Sequence, residues 1–291
     1  MFTGLELTYV ELEEVRVRCR VGGTGPPVLL LHGFPQTHVM WHQVAPALAR
    51  SHTVVAPDLR GYGESSPPAA DSVSAYSKRA MAHDQIQLMS VLGYERFSVV
   101  GHDRGGRVGY RLALDHPERV ARLAVLDIVP GLNMWEAAEQ QPAEGRQQWH
   151  WNLNAEPDAE KRLTPEQLFP GGSPSISDHE ITLAPDALAD YLAALERPSV
   201  AHAMAQDYRA GRSDDREHDE TDRSAGRKIS CPVLALWGAK SDLQEWFDPL
   251  EVWRQWADEV TGTAVEGSGH FLAEEQPERL LDELLPFLDD R

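Results

Sequence analysis

Two cysteines, Cys19 and Cys231, are all that the 291 residues carry. They form no metal-binding spacing, and a pair so far apart in a chain of this size points to reduced thiols rather than a disulfide scaffold. No apolar run approaches the ~18 residues that cross a bilayer. The opening Met1-Phe2-Thr3-Gly4-Leu5-Glu6 has no basic region followed by an apolar core, so neither a secretion signal nor an anchor is expected, and the cytoplasm is the expected compartment. Positive charge is scarce as well: 27 Lys and Arg stand against 46 Asp and Glu, a net charge of −19. So acidic a chain lacks the basic face that phosphate binding needs, which excludes nucleic acid as a partner. A small anionic substrate is not excluded, because two buried arginines can make a pocket locally positive inside an acidic protein. No internal repeat appears.

What is present is enough apolar residue, 42%, to bury one large α/β core and carry an inserted subdomain of about 100 residues. The chain turns on Gly101-His102-Asp103-Arg104-Gly105. An apolar run, Phe97 to Val100, precedes it and a helical pattern, Val108, Leu112, Ala113 and Leu114, follows. Strand, Gly-x-nucleophile-x-Gly, helix is the nucleophile elbow, in which glycines permit a strained turn that lifts one side chain above the carboxyl edge of a sheet. Here that side chain is a carboxylate. An ordinary serine esterase is excluded, and the pattern points to an aspartate that attacks carbon and leaves an ester to be hydrolysed.

Around the elbow, apolar and helical segments alternate. Glu11 to Val21 alternates as a half-exposed strand, and Val28 to Leu31, Thr53 to Ala56, Arg122 to Asp127 and Pro232 to Gly238 read as buried strands. Trp41 to Arg50, Ser77 to Leu92, Pro249 to Trp256 and Phe271 to Leu288 read as helices, with a short strand near Thr263 to Glu266. Met81, Ile86, Met89 and Leu92 make a stripe assigned to the core. This order predicts an α/β-hydrolase fold, a mostly parallel doubly wound sheet whose ligands sit beyond the strand carboxyl ends. From residue 131 to 228 buried strands disappear and helical pieces such as Pro185 to Glu196 are broken by Trp, Pro and Gly. The chain is therefore divided into a core at 1–130 and 229–291 and a helical cap at 131–228. The Asp/Arg-rich stretch Arg212 to Arg227 reads as a solvated face or loop.

Chain order in this fold is nucleophile, acid, base. Of the 12 histidines, His270 in Gly267-Ser268-Gly269-His270 holds the base position. Two acids end strands: Asp127 after the strand that follows the elbow, and Asp242 after Trp237-Gly238, with Ser241 in the slot where the acid often stands. Asp127 is favoured. The loop after the Val28–Leu31 strand, His32-Gly33-Phe34-Pro35, places the Phe34 N–H beside that of Arg104 as an oxyanion hole.

Taken together, His32-Gly33-Phe34-Pro35-Gln36, Asp58-Leu59-Arg60-Gly61-Tyr62-Gly63, Gly101-His102-Asp103-Arg104-Gly105-Gly106-Arg107, Leu126-Asp127-Ile128-Val129-Pro130, His150-Trp151 and Asp207-Tyr208-Arg209-Ala210-Gly211 resemble the fluoroacetate (haloacetate) dehalogenases of the α/β-hydrolase superfamily. The resemblance runs through residues 1 to about 135 and 201 to 291. It implies that Asp103 attacks the halogen-bearing carbon, that Arg104 and Arg107 hold the substrate carboxylate, and that His150, Trp151 and Tyr208 donate to the departing halide. It also implies a small organohalide acid as substrate, no metal, no organic cofactor, and a homodimer. Asn152-Leu153-Asn154 and Phe169 to Pro174 depart from the family pattern, so the pocket wall they build is expected to differ. Epoxide hydrolase is the alternative on the same fold and the same Asp and His. It needs two cap tyrosines, for which Tyr208 and Tyr191 are candidates, and it leaves Arg104 and Arg107 without an anion to pair.

Overall fold

The computed structural model describes residues 1–140, 146–176 and 179–289. Eight strands make one sheet: β1 (Leu5–Glu11), β2 (Arg16–Gly23), β3 (Pro27–Leu31), β4 (Thr53–Pro57), β5 (Phe97–His102), β6 (Val120–Leu126), β7 (Val233–Gly238) and β8 (Val260–Val265). Their order is β1-β2-β4-β3-β5-β6-β7-β8. The β1–β2 and β2–β4 pairs are antiparallel and the rest are parallel. The central strands β3 and β5 are almost wholly buried apolar runs, as strands covered on both faces must be. The first strand was not legible. Its residues alternate between exposed and half-buried, because it is an edge strand with one face in water.

Between β3 and β4 the sequence reading of one helix resolves into a 3-10 turn, His38–Trp41, and a short α1 (Ala45–Leu48). The core helices that follow are α2 (Lys78–Val91) and α3 (Asp103–Asp115). Met81 and Met89 of α2 are fully buried. The β3–β4 step moves one way along the sheet and the β4–β5 and β5–β6 steps the other, so right-handed crossovers put α1 on one face and α2 and α3 on the opposite one. The chain reverses direction between β3 and β5, and this is where an open α/β sheet leaves a crevice at its carboxyl edge.

Among the described residues six α-helices lie between β6 and β7: α4 (Gly131–Gln140), α5 (Arg146–Asn154), α6 (Pro165–Leu168), α7 (Pro185–Leu195), α8 (Pro198–Arg212) and α9 (Asp214–Ser224). Arg212 to Arg227, expected to be a solvated face or loop, is exposed along much of its length but forms a helix with one buried side. Within α9, Asp215, Asp219 and Asp222 are buried, because spacings of four and three residues bring them to one side of the helix. There Asp219 and Asp222 receive the Arg111 guanidinium at 3.0 and 2.6 Å, the Tyr110 hydroxyl donates to Asp219 at 2.7 Å, and the Lys78 N–H donates to Asp215 at 2.7 Å. The acidic run ties cap to core.

After β7 come α10 (Leu243–Trp246), α11 (Pro249–Trp256), α12 (Leu272–Glu275) and α13 (Pro277–Asp289). The expected last helix is thus two, broken where Pro277 removes a backbone donor and cannot continue the first turn. Among the described residues no helix is long and apolar enough to cross a membrane. Cys19 and Cys231 are free and buried.

Candidate active site

Segments at the carboxyl ends of β3, β5, β6, β7 and β8 converge on one cavity. Asp103 is the first residue of α3 and has φ of 43°, and Asp127 has φ of 53°. Left-handed backbone at a residue with a Cβ costs on the order of 1–3 kcal/mol and persists only where packing enforces it. At the elbow the enforcement is the close approach of β5 and α3: a Cβ on Gly101 would stand 2.6 Å from the Gly105 carbonyl oxygen, and one on Gly105 would strike the His32 carbonyl. Glycine is required at both.

The Asp103 carboxylate is 6% exposed. Its Oδ2 accepts the Phe34 N–H at 2.9 Å, which leaves Oδ1 to face the cavity. Burial alone would raise its pKa, but His270 first, then Arg107 and Arg104, outweigh that and hold it at about 2. It is an anion at any physiological pH.

His270 Nδ1 lies 2.7 Å from Asp127 Oδ2. That carboxylate is fixed twice more, by the Gly238 N–H on Oδ1 at 3.0 Å and the Ser241 hydroxyl on Oδ2 at 2.8 Å. Ser241, in the slot where sequence alone would look for an acid, therefore orients the acid that stands elsewhere. Asp242 comes one residue later, at the start of α10 on the cavity wall. Under His270 lies His102, whose Nε2 meets the His270 carbonyl at 2.8 Å. Burial, with His270 beside it, lowers the His102 pKa to about 4, so this ring is neutral.

The two arginines differ. Arg104 is buried and spent on the cap: its Nε and Nη2 grip both carboxylate oxygens of Asp207 at 3.0 and 2.6 Å, and Nη2 also donates to the Asp207 carbonyl at 2.9 Å. Asp207 additionally receives Tyr62 at 2.8 Å and the Lys78 ammonium. Despite complete burial its carboxyl is held well below the usual range, Arg104 and then Lys78 supplying the charge. Arg107 donates one bond, Nη1 to the Val129 carbonyl at 2.6 Å. Among the described residues its Nε is buried without a hydrogen-bond partner, and the side chain lines the cavity with Asp103. Burial, eased by Asp103 and deepened by Arg104, lowers the Arg107 pKa. A buried guanidinium with open donors is a costly arrangement that an anion would relieve.

From the cap, His150 and Trp151 of α5 line the same cavity, and Tyr208 of α8 stands behind them. The rings interlock, His150 to Tyr208 at 6.3 Å, Trp151 to Tyr208 at 6.0 Å and Phe34 to Tyr208 at 5.3 Å, all edge-on. The Arg104 guanidinium lies over Tyr208 at 4.3 Å and that of Arg107 over Trp151 at 4.5 Å, within cation–π range. Desolvation lowers the His150 pKa to about 4, so it is a neutral ring with one N–H to give. Burial, then Asp103, raises that of Tyr208, which keeps it a proton donor. Tyr191 is placed differently. Its hydroxyl donates to Glu274 at 2.5 Å, inside a cluster with Gln36.

Asp103, Asp127, His270, Phe34, Arg107, His150 and Trp151 thus meet at one cavity, while Arg104 and Tyr208 form the layer behind it. Sequence reasoning gave no role to Ser241, Asp207, Lys78 or His102. Asp207 and His102 carried a signal, each adjoining a candidate residue, Tyr208 or Asp103, within a quoted motif; Ser241 and Lys78 are single polar residues whose partners lie on distant elements.

A family model for the alpha/beta hydrolase fold matches residues 26–277. A fluoroacetate dehalogenase from Burkholderia sp is 41% identical over 300 aligned residues, spanning 100% of this chain and 96% of that protein. A soluble epoxide hydrolase from a Corynebacterium species is 34% identical, spanning 94% of this chain and 93% of that one. Among solved structures, an alpha/beta hydrolase from Nostoc sp superposes with a TM-score of 0.90 at 44% identity, with all of both chains covered. With the family model across most of its length and such relatives from end to end, this chain belongs to the α/β-hydrolase family.

Proposed function

We propose that the protein hydrolyses the carbon–halogen bond of short 2-haloacids such as fluoroacetate and chloroacetate, through an ester on Asp103. The observation that carries this reading is the pairing, in one cavity, of an ionised elbow aspartate with the unpartnered donors of Arg107. Similarity to a fluoroacetate dehalogenase over the full length supports it.

The substrate carboxylate sits on Arg107, whose open Nε and Nη2 suit two oxygens, with the remaining donors of Arg104 behind. Asp103 Oδ1 attacks C2, the carbon–halogen bond breaks, and the halide leaves with the electron pair. His150, Trp151 and Tyr208 donate to it, stabilising charge that develops only in the transition state. His270, oriented by Asp127, then takes a proton from water as the water oxygen attacks the Asp103 carbonyl carbon. Oδ2, already on the Phe34 N–H, becomes the oxyanion, and the Arg104 N–H supplies the second donor. Collapse releases the 2-hydroxyacid with the proton and restores the carboxylate. By likeness to the family we also propose a homodimer, which light scattering would check, and from the cysteine usage a cytoplasmic location.

Epoxide hydrolysis is the second reading, favoured by the Corynebacterium relative. It asks for two tyrosines over the epoxide oxygen. Tyr208 stands in the layer behind the cavity, the hydroxyl of Tyr191 is committed to Glu274, and the arginines would face a neutral ligand.

One experiment tests both steps. His270→Ala incubated with chloroacetate should release up to about one halide per site and stop, with an intact-mass adduct that digestion places on the peptide carrying Asp103. Diol from styrene oxide with no halide from any haloacetate would support the epoxide reading instead. An adduct-free variant that releases no halide would remove Asp103 as nucleophile.

A further inference from the structure

The cavity holding Asp103 and Arg107 has a volume of about 840 Å³. A water molecule takes up roughly 30 Å³ of the liquid, so a haloacetate, with its handful of heavy atoms, would fill on the order of a tenth of that space. Cavities of about 300–1,000 Å³ are the size that encloses drug-sized ligands. Charged side chains line it in two sets, Asp103, Arg107, Asp127 and His270 around the elbow, and Arg162, Glu166 and Asp242 from other segments. Between these the wall carries a set of apolar side chains: Leu153, Leu163 and Ile176 on the cap side, and Leu243, Trp246 and Phe247 on the core side. Leu153 and Ile176 stand in or just beyond the segments whose sequence departs from the family pattern.

A substrate of acetate size would leave this apolar space to water, next to a reaction that gains from a dry site. Such a wall lowers free energy only when carbon covers it. We propose that the cavity accepts 2-haloacids carrying an apolar substituent of about aryl size on C2, the carboxylate on Arg107 and the tail between the cap wall and α10. This rests on the dehalogenase reading and specifies its substrate. The chemistry is unchanged: Asp103 displaces halide from C2, and water cleaves the ester to the corresponding 2-hydroxyacid.

The test compares substrates whose reacting carbon is alike and whose tails differ. Chloride release by the full-length protein is measured from 2-chloropropanoate and from 2-chloro-4-phenylbutanoate, with chloroacetate alongside. The expected result is a kcat/KM on the order of tenfold or more higher for the phenyl compound, the scale on which an apolar pocket discriminates. Ile176→Trp, which fills the space, and Trp246→Ala, which removes the facing wall, should each reduce that ratio severalfold. Turnover of chloroacetate with no gain from the phenyl tail would overturn the inference and leave the dehalogenase reading standing. No chloride from any of the three would remove both. A tail preference that neither substitution alters would also overturn it, because the tail would then lie elsewhere.

Discussion

The sheet side of the cavity and its cap side hold their functional groups by different means. On the sheet side, Phe34, Asp103, Asp127 and His270 follow four strands, and main-chain geometry sets them: a left-handed φ at each aspartate and backbone N–H donors on both carboxylates. On the cap side, His150, Trp151 and Tyr208 sit on helices whose position relative to the sheet depends on ring contacts and buried ion pairs, Arg104–Asp207–Lys78 and Arg111 with Asp219 and Asp222. Substitution on the first side should therefore change chemistry with the fold intact. Substitution at the second should change stability and chemistry together.

The sharpest break between them is Asp103→Asn. Loss of the nucleophile should lower steady-state halide release by on the order of 10⁴-fold or more, with a thermal midpoint close to wild type. A residual rate within a hundredfold would mean that the elbow carboxylate is not the attacking group. Next, Asp127→Asn should cost on the order of 10⁴-fold in turnover by favouring the wrong His270 tautomer. Asp242→Asn should stay within about threefold, and the reverse ranking would return the acid role to Asp242.

On the cap side, Asp207→Asn leaves Arg104 buried without its counter-charge and Lys78 with Asp215 alone, 3.5 Å away. The expected loss is about 3–5 kcal/mol in urea unfolding, with weakened activity as Tyr208 loses its backing. Because the folded-state pKa of Asp207 is depressed, its contribution is present above the unfolded value of about 3.9 and is lost as pH falls through the folded value. The wild-type minus Asp207→Asn stability difference should therefore shrink below about pH 4.

The smallest expected effect is no change at all. With Asp103 held at about 2 and His150 neutral above about 4, halide release in a single turnover with enzyme in excess should be flat from pH 8 down to about 5. A fall within that window would mean that ester formation needs a titrating base.

The elbow, the loop position of His270 and the buried strands were readable because they are local: glycines two residues either side of an aspartate, a histidine before the last helices, apolar runs at parallel-sheet lengths. Three features were not. The first strand is an edge whose alternation is weak. The acidic helix α9 looks solvated until Arg111, more than a hundred residues earlier, is seen to face it. Ser241 looked like a displaced acid position, and its role appears only with Asp127, 114 residues away, on its hydroxyl.

The sequence by itself determined the α/β-hydrolase architecture and the aspartate in the elbow, since periodicity, turn chemistry and side-chain type are properties of short stretches. Only the tertiary structure decided which arginine is open and which is spent. Arg104 and Arg107 are three residues apart on one helix turn and chemically identical. One meets Asp207 from the cap and the other meets the cavity, and the free energy of a buried guanidinium depends on the partner that distant chain brings to it.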